Sequence, residues 1–142
     1  MASESKSAIR ALGEIALRVN NLNVMQRFYE NDIGLELMKR FEHAAFFKIA
    51  EGYAGHTTIL ALFDRKADNP EHHIASDTSS FDHIAFTIGR MDYDSERQRL
   101  ESRGLEVDVA THPWVRWRSM YVYDPEGNRV ELVCFDESVE GV

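Results

Sequence analysis

The stretch Glu14-Ile-Ala-Leu-Arg-Val19 returns about 70 residues later as His83-Ile-Ala-Phe-Thr-Ile88. Both copies alternate apolar and polar residues, the period of a strand with one buried face. Ile15, Leu17 and Val19 match Ile84, Phe86 and Ile88 on one face, and Glu14, Ala16 and Arg18 match His83, Ala85 and Thr87 on the other. Each strand leads into a helix-like stretch, 22–33 and 91–103, and each stretch ends on a Gly-Leu pair, Gly34-Leu35 and Gly104-Leu105. Glycine just past a helix supplies the left-handed cap. Asn21 or Asn23 in the first copy, and Asp92 or Asp94 in the second, suit the N-cap.

Further strands are predicted after each helix, over 36–40, 44–50 and 57–63, then over 106–110, 118–123 and 129–135. Between the last two, Asp124-Pro-Glu-Gly-Asn128 joins an early proline to a glycine suited to positive φ, a hairpin signal. The order β-α-β-β-β therefore occurs twice, in a first module over 8–63 and a second over 81–136. The polar segment 64–80, with Asn69-Pro70, reads as the linker between them. The expected fold is α+β: two tandem βαβββ modules forming a curved mixed sheet around one cleft, together one domain. Helix-covered faces take the apolar residues, so Glu14, Arg18 and His83 are expected to face the cleft. On the final strand Arg129, Glu131 and Val133 share that face, while Val130, Leu132 and Cys134 take the helix side. Carboxylates and an imidazole turned inward are costly unless paired or ligated.

Composition narrows the function. The 142 residues are 44% hydrophobic and 28% charged, ordinary for one globular domain. Acidic residues outnumber basic ones 24 to 16, for a net charge of −8, the wrong sign for a phosphate-neutralising nucleic-acid surface. The single cysteine excludes an intramolecular disulfide and a Cys-rich zinc site; its helix-side parity predicts a packed, inert thiol. No apolar run approaches the ~20 residues of a membrane span, and residues 1–7 are polar. The expectation is a cytoplasmic protein with no membrane or nucleic-acid partner.

Three segments carry a resemblance: Arg27-Phe-Tyr-Glu-Asn-Asp-Ile-Gly-Leu35, Phe81-Asp-His-Ile-Ala-Phe86, and Arg118-Ser-Met-Tyr-Val-Tyr-Asp-Pro-Glu-Gly-Asn-Arg-Val-Glu-Leu132. From about Ile9 to Phe135 the chain resembles the vicinal oxygen chelate superfamily. That superfamily holds glyoxalase I, methylmalonyl-CoA epimerase, fosfomycin-resistance proteins, bleomycin-binding proteins and extradiol dioxygenases. The resemblance implies a divalent metal site with ligands from the first and last strand of each module. Carried over by motif, His83 and Glu131 are the second module's ligands, and Glu14 occupies the position where the family more often has His or Gln. The fourth position falls on Ala61, which cannot ligate. Three ligands still leave a six-coordinate ion open positions for water and two adjacent substrate oxygens. The implied cofactor is a divalent ion (Mn, Fe, Ni, Mg or Zn), and one imidazole with two carboxylates favours the harder ions.

The resemblance implies a glyoxalase-like, metal-dependent lyase or isomerase acting on a small substrate with vicinal oxygens, with Glu131 or Glu14 as the proton-moving base. Two alternatives stand beside it. The aromatic supply of Phe46, Phe47, Trp114, Trp117, Tyr121 and Tyr123 and the three-ligand count suit an extradiol (ring-cleaving) dioxygenase. A metal-free small-molecule binding or resistance protein is the other. Arg18, His56, Trp114, Arg116, Arg118 and Tyr121 are the further candidates for a substrate pocket. The run Trp114-Val-Arg-Trp-Arg118 reads either as packing or as a loop clamping a carboxylated substrate through arginine, and Arg118 also reads as scaffold at the start of its strand. His43 is assigned to a hairpin and His72-His73 to the linker surface. A small-molecule substrate and a homodimer are the expected partners.

Overall fold

Leu17, Val19, Ala45, Phe47, Leu60 and Leu62 all turn buried side chains to one face of a four-stranded sheet. The strands are β1 (Glu14–Val19), β2 (Glu36–Arg40), β3 (Ala44–Glu51) and β4 (Thr57–Asp64), in the order β1-β4-β3-β2. β1 runs parallel to β4, and the other neighbours are antiparallel. The second half repeats this plan with β5 (His83–Thr87), β6 (Asp108–His112), β7 (Trp117–Tyr123) and β8 (Arg129–Phe135), ordered β5-β8-β7-β6. Again the first strand is parallel to the last and the rest are antiparallel. The computed structural model describes residues 11–66, 81 and 83–141. The chain divides into two compact units between Asp68 and Asn69, inside the predicted 64–80 linker. Most of that linker, with His72-His73, lies outside the described residues.

The helices follow the predicted stretches with one change of geometry. α1 (Leu22–Arg27) is capped by Asn21, whose side chain accepts from the Val24 N–H at 3.1 Å. It then widens into a π-helical turn over Phe28–Ile33, where one uninterrupted helix was predicted. Gly34, at φ 93°, ends it, and the N–H groups of Gly34 and Leu35 both return to the Tyr29 carbonyl. α2 (Tyr93–Ser102) follows a 3-10 turn at Arg90–Asp92 and ends at Gly104, φ 84°. Asp92 is its N-cap residue but makes no side-chain cap bond. β6 starts two residues later than predicted, and β8 has the predicted bounds.

Ile84, Phe86, Met120, Val122, Val130 and Leu132 form the buried face of the second sheet, and Cys134 lies among the buried residues as expected. Burial pushes the Cys134 thiol above its ordinary pKa, so it stays protonated and unreactive. Arg118 pairs in register with Cys134 and so shares its face. Its Nε donates to Asp136 Oδ2 at 2.7 Å, and its guanidinium lies 5.8 Å from the Tyr93 ring centre. Arg90 Nε lies 2.9 Å from the same oxygen, and the Ser138 N–H and hydroxyl donate to Oδ1. Of the two readings of Arg118, these contacts favour the scaffold one. Arg118 ties β7 to α2 and to the C-terminal turn.

The hydrogen bond from Arg118, then those from Ser138, hold the Asp136 carboxyl well below the usual carboxylate range. A depressed carboxylate pKa stabilises the fold above the unfolded pKa of about 4, and that contribution is lost as pH falls towards the folded value. Asp136→Asn is therefore expected to lower the melting temperature by several degrees at neutral pH. The gap to wild type should close as pH is lowered below about 4, measured by thermal unfolding across pH; a gap independent of pH would refute the ion-pair account. A Cβ added at Gly104 meets nothing within 4 Å, so Gly104→Ala should cost only the left-handed backbone penalty, about 1 kcal/mol by chemical denaturation.

Candidate functional site

Glu131 is carried on β8 between Val130 and Leu132, yet it is only 5% exposed. A carboxylate so withdrawn from water needs donors on both oxygens, and the sheet register supplies them. The turn before β8 is built on Asp124, whose Oδ1 accepts the N–H groups of Glu126 and Asn128, each at 2.9 Å, while Asn128 Nδ2 donates to Oδ2. Counting outward from that turn pairs Tyr123 with Arg129, Tyr121 with Glu131 and Ser119 with Val133. On the other side, His83 pairs with Arg129 and Ala85 with Glu131. Ser119 and His83 are therefore diagonal neighbours of Glu131, one on each side, within reach of long side chains on one sheet face. Ser119 Oγ donates to Glu131 Oε2 at 2.6 Å, and His83 Nε2 stands 3.1 Å from Oε1.

Tyr121, directly opposite Glu131, extends the cluster. Its hydroxyl is 3.0 Å from His112 Nε2 on β6 and within hydrogen-bonding reach of Ser119 and Glu131. Burial pushes its phenol up from the ordinary value; the Glu131 charge adds to this, while the Ser119 hydrogen bond and the Arg129 charge oppose it. The phenol remains a hydrogen-bond donor through neutral pH. The Arg129 guanidinium stands over it, with Cζ 3.8 Å from the ring centre.

The first unit repeats the register without the chemistry. Glu14 pairs with Ile59 as His83 pairs with Arg129, and Ala16 pairs with Ala61 as Ala85 pairs with Glu131. Phe46 faces Ala61 where Tyr121 faces Glu131, and Ala44 faces Phe63 where Ser119 faces Val133. The predicted equivalences of Glu14 with His83 and of Ala61 with Glu131 hold residue for residue in the pairing. Glu14 is exposed at the start of β1. Among the described residues no group of three or more His, Cys, Asp or Glu side chains is gathered as a metal site. The pair brought together from the predicted ligands is His83 with Glu131.

The other candidates have separate surroundings. Arg18 is half-buried on β1, and its carbonyl accepts from Arg65. His56 is exposed with its ring against Gly13. Trp114 is exposed in the β6–β7 turn, its ring centre 6.5 Å from that of Trp117. Arg116 adopts φ 57° in that turn, and its carbonyl accepts from the Asp136 N–H. His43 lies in the β2–β3 turn, 3.6 Å from Asp64. Ser119 and His112 were missed as site residues, and Arg129 was placed on the right face without a role. The signal was present: once the Asp124 turn is recognised, pairing outward from it puts Ser119 and Tyr121 beside Glu131.

The imidazole nitrogen and carboxylate oxygen fit a divalent ion. Two neighbouring donors of a six-coordinate ion with bonds of about 2.1 Å stand about 3.0 Å apart, close to the 3.1 Å between His83 Nε2 and Glu131 Oε1. The Ser119 bond is the outer support that orients such a carboxylate.

Known proteins share this plan. "Glutathione transferase FosA" of Serratia marcescens is 24% identical over 128 residues, covering 87% of this chain and 80% of that protein. "Metallothiol transferase FosB" of Lysinibacillus sphaericus is 27% identical over 125 residues, covering 87% and 82%. The crystal structure of lactoylglutathione lyase from Agrobacterium tumefaciens superposes with a TM-score of 0.67 at 27% identity, covering 90% of this chain and 96% of that one. Residues 11–132 match the family described as Glyoxalase/Bleomycin resistance protein/Dioxygenase superfamily. That match spans both βαβββ repeats and ends on β8 just past Glu131, so the chain belongs to this superfamily.

Proposed function

We propose that the protein is a divalent-metal-dependent enzyme of the glyoxalase type, a lyase, isomerase or transferase acting on a small substrate through two adjacent oxygens. The observation that carries this reading is the convergence of His83 Nε2 and Glu131 Oε1, with the second carboxylate oxygen held by Ser119. His83 and Glu131 are the proposed metal donors, and the ion would be a hard one such as Mn²⁺, Mg²⁺ or Fe²⁺. When bound, such an ion supplies Lewis acidity to the substrate oxygens. Ser119 holds Glu131 in one rotamer. Tyr121, kept protonated by burial, offers a hydrogen bond to negative charge developing on a substrate oxygen. The names of three relatives refer to thiols or to a thioester of one: glutathione, metallothiol and lactoylglutathione. That favours a low-molecular-weight thiol as co-substrate here over ring cleavage with oxygen.

Calorimetric titration of the metal-free protein with Mn²⁺ tests the donor pair. His83→Ala and Glu131→Gln should each lose affinity by tenfold or more, and Ser119→Ala by roughly ten- to a hundredfold, the range for an outer-shell partner. Glu14→Gln in the same series reports whether that carboxylate takes part. Wild type and His83→Ala binding alike would end the metal reading and bring forward the binding-protein one.

The reaction class separates by what is formed or consumed. With Mn²⁺ supplied, incubation with glutathione and a 2-oxoaldehyde or an epoxide should accumulate the thioester or the ring-opened thioether beyond the uncatalysed rate, and Glu131→Gln should abolish that excess. Oxygen uptake with catechols under Fe²⁺, dependent on His83, would instead establish the dioxygenase alternative.

A further inference from the structure

Tyr93 opens α2 and is 3% exposed, so its hydroxyl must find a partner inside the protein. It donates to the Ser119 carbonyl of β7 at 2.8 Å. Burial pushes the phenol above its ordinary pKa, and the hydroxyl keeps its proton at neutral pH. Two arginines fix the ring and the chain leading into it. The Arg118 guanidinium lies 5.8 Å from the ring centre and is bonded to Asp136. Arg90, three residues before Tyr93, stands against the same Asp136 oxygen.

Ser119 is fully buried, and its hydroxyl donates to Glu131 Oε2 at 2.6 Å. One residue therefore carries two bonds in series. Its carbonyl is held by the tyrosine of α2, and its hydroxyl holds the carboxylate of β8. A serine hydroxyl moves only about its own Cα–Cβ bond, so its reach is set by where the backbone places that bond. A hydrogen bond this short to an ionised oxygen is a strong one, and a displacement of about half an ångström is enough to spoil such an arrangement. The first unit does without the series. Leu22 opens α1 as Tyr93 opens α2, and Ala44 faces Phe63 where Ser119 faces Val133. Both are buried, so the repeated plan closes at these positions with apolar groups. The two hydroxyls occur in the unit that buries a carboxylate.

We propose that Tyr93 is a positioning residue for Glu131: it fixes the Ser119 carbonyl and, through that backbone, the hydroxyl that orients the carboxylate. This rests on the reading of Glu131 as a donor of the site and adds that α2, on the other side of the sheet, sets its geometry.

The test is a double-mutant cycle on wild type, Tyr93→Phe, Ser119→Ala and the double variant. Three quantities are read: the ¹³C shift of the Glu131 carboxyl carbon in metal-free protein, assigned with Glu131→Gln; Mn²⁺ affinity by calorimetry; and the melting temperature. Tyr93→Phe keeps the ring and removes the hydroxyl alone. It should move the Glu131 shift in the direction that Ser119→Ala moves it. Mn²⁺ affinity should weaken about threefold or more, yet less than on loss of Ser119 itself, the direct outer partner of the carboxylate. In the Ser119→Ala background Tyr93→Phe should change neither quantity, because no hydroxyl remains to be positioned. Its cost in melting temperature should be alike in both backgrounds, since the bond to the carbonyl is lost in each. A Glu131 shift unmoved by Tyr93→Phe, or moved equally in both backgrounds, marks a plain packing role and would overturn the proposal. A shift that depends on Tyr93 through Ser119 in a protein that binds no Mn²⁺ would sustain the positioning role and remove the donor-pair reading.

Discussion

A carboxylate buried on an inner strand of a sheet sets the terms for the second half of this protein. Glu131 is nearly withdrawn from solvent, and a charge in that position is tolerated only when both oxygens are engaged. Ser119 and His83 engage them from the two neighbouring strands, and Tyr121 stands directly across. None of the three is near Glu131 in sequence. They meet because β8 is parallel to β5 on one side and antiparallel to β7 on the other. The turn at Asp124, with its carboxylate satisfied by three N–H donors, holds the β7–β8 register. A slip of one residue there would turn Glu131 to the apolar face and Val130 to the polar one.

Duplication explains why the chemistry lies where it does. The two units share strand order, strand direction and pairing register, which depend on backbone hydrogen bonds and apolar alternation. Polar-face side chains are free to differ, and they do. Tyr121, Glu131, Ser119 and Arg129 correspond to Phe46, Ala61, Ala44 and Ile59. One unit keeps an ionisable cluster. The other has an aromatic contact between Phe46 and Phe63 with ring centres 5.7 Å apart. A scaffold of this kind leaves function to grafted side chains, which is why membership of the superfamily does not by itself name a substrate.

Much of this was legible in the chain. The period-two repeat, the Gly-Leu helix ends and the Asp124 turn are local signals, each set by backbone sterics within a few residues, and they located eight strands and two helices. The face assignments of β5 and β8 followed from alternation alone. The π-helical turn after Arg27 was not legible, because apolar spacing at that length does not distinguish it from an α-helix continued to Ile33. Arg118 shows the same limit from another side. Its parity was available, but its partner Asp136, which also binds Arg90 of a 3-10 segment, lies in a turn after β8 whose meeting place with β7 no spacing rule gives.

By itself the sequence determined the elements, their duplication and the residues that share each face, because these depend on interactions between near neighbours along the chain. Tertiary structure alone decided which of those residues touch. It brought His83, Ser119 and Tyr121 to Glu131 and set the Arg129 guanidinium over the Tyr121 ring. The physical reason is that hydrogen bonds between strands convert sequence separation into lateral register, and only the assembled sheet places diagonal side chains within bonding distance.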